Sequence, residues 1–215
     1  MKTKLIYPLA VIGLLGAANA VADGFGFGVK GGTLGLGTEG NFGISEQFNA
    51  RVGLNSYNFR FDETASGIDY NAEIDMNSTA LILDWHPFSG TFRLSAGLIN
   101  NKNAGRLSAT PTSNQQIGNT TYTPAQIGTL SGEVTFRKNV PYLGLGWGNA
   151  VGRGSRFGLN FEVGVMKQGK ADVRLRSSNS MVSQSDLDRE AQAAEDDMSS
   201  FDTYPVISLG FSWRF

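Results

Sequence analysis

The sequence predicts an all-β fold: a transmembrane antiparallel β-barrel of eight strands, with one short acidic helix before the last strand. Three observations carry this. Apolar residues alternate with small or polar ones in segment after segment, giving each strand one greasy face. The first residues have the layout of a secretory signal. The sequence finishes on Ile207, Leu209, Phe211, Trp213 and Phe215, alternating with Ser208, Gly210, Ser212 and Arg214, and no tail covers the apolar side. Lipid outside and a polar lumen inside account for all three.

The signal comes first. Lys2 and Lys4 precede an apolar run over 5–18, and small residues follow at Ala18, Ala20 and Ala22. A charged start, an apolar stretch and a small-x-small site mark a cleaved segment. We therefore divide the chain into 1–22, a signal peptide, and 23–215, the barrel domain. The run is 14 residues long, short of the roughly 20 that a membrane-spanning helix needs. Losing the two lysines takes the formal charge from −1 to −3, which argues against nucleic acid as a partner. There is no cysteine, so disulfides and thiolate metal sites are excluded.

The strands follow in order. Gly24-Phe-Gly-Phe-Gly-Val-Lys30 is either a first strand, turned at Gly31-Gly32, or the start of one long strand over 24–44. The next segment, 33–44, carries Leu34, Leu36, Phe42 and Ile44 on one face. Segment 48–62 carries Ala50, Val52 and Leu54, and 68–86 carries Leu81, Leu83 and Trp85. Segment 91–108 carries Phe92, Leu94, Ala96 and Leu98, and 129–149 carries Leu143, Leu145 and Trp147. Segment 156–176 carries Phe157, Leu159, Phe161, Val163 and Val165, and 203–215 is the closing strand. Phase shifts near Asn55, Asn77 and Pro141 read as bulges. Short connections at 45–47, 86–91 and 150–155 alternate with long polar ones at 101–128 and 177–202, as periplasmic turns alternate with extracellular loops. Phe42, Phe48, Trp85, Phe88, Phe92, Trp147, Phe157, Trp213 and Phe215 gather near the short turns, like an interfacial girdle. The helix is expected over 186–198, capped by Ser185, with Leu187, Ala191, Ala194 and Met198 as a narrow apolar stripe.

Turning the apolar faces outward turns Glu39, Arg51, Asp84, Arg93, Glu162 and Arg214 inward. Buried charges persist when paired, and an eight-stranded barrel has an interior that side chains nearly fill. These six therefore form either an ionic plug or a narrow polar constriction. Beyond them, Lys170, Asp172, Arg174 and Arg176 share the inward phase if their strand runs on without a bulge, and would line the outer mouth as a charged vestibule. Phe215 resembles the C-terminal aromatic signal of bacterial outer-membrane proteins, and that resemblance implies recognition by the barrel-assembly machinery.

Enzyme readings find little support. The one histidine, His86, could be drawn into a triad with Asp84 and Ser89 or Ser95, but an interfacial histidine of no special role is much the better reading. No His/Asp cluster has metal-ligand spacing. The glycines of 24–28 precede no helix, so they form no phosphate loop. No cofactor is expected.

The motifs PYLGLGWG, FEVGVMKQGKADVRL, LDREAQAAEDDM and YPVISLGFSWRF, spread over 141–215, resemble the second half of the carbapenem-resistance-associated outer membrane proteins, also called ornithine-uptake porins. The resemblance implies an eight-stranded barrel with an occluded lumen and uptake of basic amino acids. Two function classes follow for a protein placed in the bacterial outer membrane. One is a narrow or occluded porin-like channel for small, cationic solutes. The other is a structural or surface-interaction barrel without transport. Its expected partners are outer-membrane lipid, the assembly machinery and small solutes, and the expected state is a monomer.

Overall fold

Eight strands close into a ring. The computed structural model describes residues 24–65, 68–152 and 156–215, so the signal segment 1–22 lies outside the described residues. In chain order the elements are β1 (Phe25–Gly32), β2 (Gly35–Gly43), β3 (Phe48–Ala65), β4 (Ile68–Trp85), β5 (Phe92–Asn101), β6 (Ala104–Thr110), β7 (Gln115–Ile117), β8 (Thr120–Tyr122), α1 (Pro124–Ile127), β9 (Leu130–Thr135), β10 (Asn139–Trp147), β11 (Phe157–Met166), β12 (Asp172–Ser177), α2 (Gln184–Asp197) and β13 (Tyr204–Arg214). Around the ring the order is β1-β2-β3-β4-β5-β10-β11-β13, and β13 pairs back onto β1. Every pairing is antiparallel. Closure leaves no free edge inside the bilayer, where an unpaired backbone group has no water to bond.

Segment 24–44 is a hairpin, not one long strand. Its turn falls at Thr33-Leu34, one step beyond the glycine pair, which lies within β1. Gly35 takes φ +94 there, a conformation that favours glycine.

Three of the predicted strands are each split in two. Segment 91–108 becomes β5 and β6, 129–149 becomes β9 and β10, and 156–176 becomes β11 and β12. The inner pieces stay in the ring. The outer pieces join the outer halves of β3 and β4 in a five-stranded extension, ordered β3-β4-β6-β9-β12. The long 101–128 connection thus holds β6, the β7–β8 hairpin and α1, and much of it is not loop.

The expected bulges are absent. β3 and β4 pair in one unbroken register from Phe48↔Trp85 to Ala65↔Ile68, straight past Asn55 and Asn77. β5 and β10 likewise keep register past Pro141. What changes near Asn55 and Asn77 is the solvent. In the ring, the outer face of β3 and β4 carries Val52, Leu54, Leu81 and Leu83. In the extension the same face carries Asn58, Arg60, Asp62, Glu73 and Asp75, opposed in the cross-strand row Arg60–Glu73–Arg106–Glu133–Arg174. Lipid bathes the first level and water the second, so polarity inverts while the pleat continues.

The other face of the extension is apolar. α2 packs there against Val173, Leu175, Val134 and Phe136 through Ala191, Ala194 and Met198. The helix starts two residues earlier than expected. Ser183, in extended conformation, accepts the Asp186 backbone N–H and serves as its N-cap in place of Ser185. Leu187 joins Ile117, Tyr122, Ile127 and Val182 in a second small core, which fixes the β7–β8 hairpin to the helix.

Candidate functional site

The alternation that turns leucines toward lipid turns six charges into the lumen, and they form one cluster. Arg51 on β3 is its hub. It reaches Asp84 on β4 (Nε–Oδ2, 2.6 Å), Glu162 on β11 (Nη2–Oε2, 2.6 Å) and Glu39 on β2 (Nη1–Oε2, 3.4 Å). Arg93 on β5 donates to Glu162 Oε2 at 2.8 Å and lies 3.7 Å from Asp84 Oδ1. Its other arm donates to the Gly148 carbonyl at 2.7 Å. Lys30 on β1 donates to Glu39 Oε2 at 2.9 Å. Neutral groups complete the set. Ser95 Oγ donates to Asp84 at 2.5 Å, and Tyr142 Oη donates to Glu162 Oε1 at 2.5 Å. Three acids thus face three bases in a dry interior, where only pairing offsets the loss of hydration.

Of the six residues placed inward by phase, five meet here. The sixth, Arg214, lies below them at the end of β13. It donates instead to the Gly152 carbonyl at the lower rim.

Two members of the cluster escaped the sequence reading. Lys30 belongs to the glycine-rich first strand, where it continues the phase of Gly26 and Gly28. Tyr142 follows Pro141, and the expected bulge at that proline hid its inward phase. The glycines of LGLGWG and EVGV make room for its ring. A Cβ at Gly164 would stand 2.5 Å from the Tyr142 hydroxyl, and one at Gly144 would overlap it.

Above the ionic layer the lumen is apolar. Leu34, Ala80, Ile82, Ile99, Val140, Tyr142, Met166 and Val206 form one buried cluster at the outer ends of the ring strands. Below the ionic layer the lumen is polar. His86 is fully buried, with Nδ1 3.1 Å from the Phe92 carbonyl and Nε2 3.0 Å from Asn49 Nδ2. A neutral ring that donates from Nδ1 and accepts at Nε2 satisfies both contacts. Asn49 also donates to Asn149 Oδ1 at 3.1 Å, tying the turn after β10 into the lumen. Among the described residues no group of three or more His, Cys, Asp or Glu is placed to hold a metal ion.

Lys170, Asp172, Arg174 and Arg176 do not line the mouth. The chain breaks between β11 and β12 with Gly169 at φ +76, and the break shifts the phase by one residue. Val173 and Leu175 consequently face α2, and the charged residues point to water on the outer face of the extension. There Arg174 pairs with Asp172 at 3.0 Å.

At the lower end Phe215 is exposed. Its ring stacks on Phe25 and Trp213, at centroid distances of 5.7 and 5.5 Å, within a belt that includes Phe42, Phe157, Trp147 and Phe92.

These features define an eight-stranded outer-membrane-type barrel with a filled lumen and a folded extension at one end. Among solved structures the chain is similar to CarO2 of Acinetobacter baumannii, with a TM-score of 0.60 at 19% identity over 89% of this chain and 98% of that one. It is also similar to CarO of the same organism, with a TM-score of 0.58 at 20% identity over 88% and 97%. These are proteins of the kind that the C-terminal motifs resemble, and the shared fold extends over nearly the whole chain. No family model and no curated protein matches the sequence.

Proposed function

We propose that the chain is a bacterial outer-membrane anchor: a closed barrel with no standing pore, which holds a folded β-sheet platform outside the membrane. The observation that carries this is the double filling of the lumen. An ionic layer around Arg51 is sealed from above by the apolar layer around Tyr142, Ile99 and Met166. A solute would have to break charge pairs and displace packed side chains in one passage. Two of the platform's five strands, β3 and β4, run on without a break from the ring, so the barrel holds it directly. In this reading the protein performs no chemistry.

The test is a planar-bilayer recording on the refolded mature protein, paired with liposome swelling in lysine and ornithine. The expected result is no steady current and no swelling. Steady current or selective swelling in basic amino acids would overturn the anchor reading in favour of a cation-uptake channel.

A further inference from the structure

The outer half of β3 has an open side. β2 pairs with β3 only as far as Ser56, whereas β4 stays paired with it to Ala65. From 57 to 65, the other side of β3 meets no strand among the described residues. The opposite edge of the same sheet is guarded. α2 lies against β12, and Glu195 Oε1 accepts the Val173 backbone N–H at 2.9 Å. An unguarded edge is a template for strand addition.

The side chains along this edge are well marked. Tyr57, Phe59 and Phe61 are 45%, 48% and 43% exposed on the apolar face. Ile74 and Leu107 continue that exposed face across β4 and β6. A Cβ added at Gly105, between them, would meet no atom within 4 Å. Arg60 and Asp62 occupy the polar face, and each holds a partner on β4, Glu73 and Asn71.

We propose that this edge pairs antiparallel with the same edge of a second copy, in a register centred on Phe61. The alternatives fail on physical grounds. A register displaced by one residue sets Arg60 or Asp62, according to direction, opposite Phe61, on the wrong face of the pleat. Centring on Arg60 or on Asp62 sets like charges directly opposite each other. Centring on Phe59 uses only 57–61 and leaves the rest of the edge bare. Centring on Phe61 uses the whole of 57–65. It sets Phe61 against its own copy and sets Arg60 of each copy against Asp62 of the other. The polar face of the edge is therefore self-complementary in charge, while on the apolar face Phe61 meets its copy and Glu63 of each copy stands opposite Phe59 of the other.

Antiparallel pairing sends the two β3 strands back toward their barrels in opposite directions. The pair consequently joins copies in two apposed membranes, while each copy stays a monomer in its own. This rests on the anchor reading for the outward display of the platform. Conductance tests that reading and membrane clustering tests this one, so either can fail alone.

The experiment uses vesicles of two colours carrying the full mature protein. Wild-type vesicles cluster. R60D vesicles alone and D62R vesicles alone lose clustering, because each homotypic contact then opposes like charges. Mixing R60D vesicles with D62R vesicles restores it, because both cross-pairs become Asp–Arg. A local structural defect would not be rescued by mixing. Clustering that survives R60D, or no rescue between two variants that both keep the gel mobility of folded barrels, overturns the proposal. Cross-linking decides the matter if either charge variant fails to fold. The chain has no cysteine. Directly opposed residues of an antiparallel pair have Cα atoms about 4.5–5.5 Å apart, within disulfide reach. F61C should therefore give a covalent dimer joining the two colours on mild oxidation, and Y57C, which would face Ala65, should stay monomeric. Absence of the F61C dimer overturns the pairing.

Discussion

Arg51 touches all three lumen acids at once, at 2.6, 2.6 and 3.4 Å, so its loss leaves more charge uncompensated than the loss of any other member. In Arg51→Met, Glu39, Asp84 and Glu162 face only Lys30 and Arg93. Removing one partner from a buried pair typically costs about 3–5 kcal/mol, and Arg51→Met belongs at the upper end of that range, with Arg93→Met below it. Arg51→Lys should rescue little, because an ammonium presents one point charge where the guanidinium forks toward several carboxylates. Combining Arg51→Met with Glu162→Gln should cost less than the two single changes together, since contacting residues couple by about 0.5–3 kcal/mol. Urea unfolding in lipid vesicles measures all five variants, the Glu162→Gln single included, and strictly additive losses would refute the cluster. At this scale the sequence was legible wherever parity was unambiguous. Arg51, Asp84, Arg93 and Glu162 lie on strands whose outer faces are plainly apolar. Lys30 lies among glycines and Tyr142 behind a proline, where the alternation gives no contrast.

The acidic helix depends on one carboxylate. Asp186 accepts from the Tyr122 hydroxyl at 2.7 Å and from the Ser183 hydroxyl at 3.0 Å, and it meets Arg189 Nη1 at 3.1 Å. The Tyr122 hydrogen bond, followed by those from Thr120 and Ser183, lowers its pKa from 3.8 to about 2. The folded form thus favours the ionised carboxylate. This stabilisation is complete above the ordinary value of 3.8 and disappears as pH falls through about 2. Hydrogen exchange from pH 5 downward should show α2 and the β7–β8 hairpin losing protection across that window, while the ring strands keep theirs. Tyr122→Phe should move the loss to higher pH, and an unmoved window would show that another group governs docking. Glycine 169 sets the second element-scale feature. Its φ of +76 makes Gly169→Ala strained by about 1–2 kcal/mol, although a Cβ there would meet only the Arg137 side chain, at 3.8 and 4.0 Å. The expected result is weakened protection of β12 with the ring unchanged. The helix was legible from its stripe, but its cap was misplaced by two residues because Ser183 and Ser185 offer the same side chain. The break at Gly169 was invisible, because alternation resumes on both sides of it.

Across the whole molecule one pleat serves two solvents. Its outward face carries leucines where lipid lies outside and charges where water does, without any slip in the β3–β4 register. A reading that assumes one solvent must explain the reversal as a bulge, and that is why Asn55 and Asn77 were misread. The true boundary lies where Leu54 gives way to Asn58 and Leu81 to Asp75. It makes a depth-dependent prediction. Leu143 is 63% exposed on β10, four residues from the aromatic belt at Trp147 and four from the start of the strand at Asn139. An arginine in such a mid-membrane, lipid-facing position costs about 2–4 kcal/mol, and the penalty falls to about 0–1 near the interfaces. Leu143→Arg should therefore lower the folding free energy in lipid vesicles by an amount in the first range. Leu107→Arg replaces an equally apolar and largely exposed side chain, but one on the extension, and its cost should stay below about 1 kcal/mol, as for a surface change. Equal penalties at the two positions would mean that both levels meet the same solvent, and the boundary would have to be drawn elsewhere. A large penalty at Leu143 alone would locate the bilayer around the ring and leave the extension in water, where its open β3 edge can meet another copy.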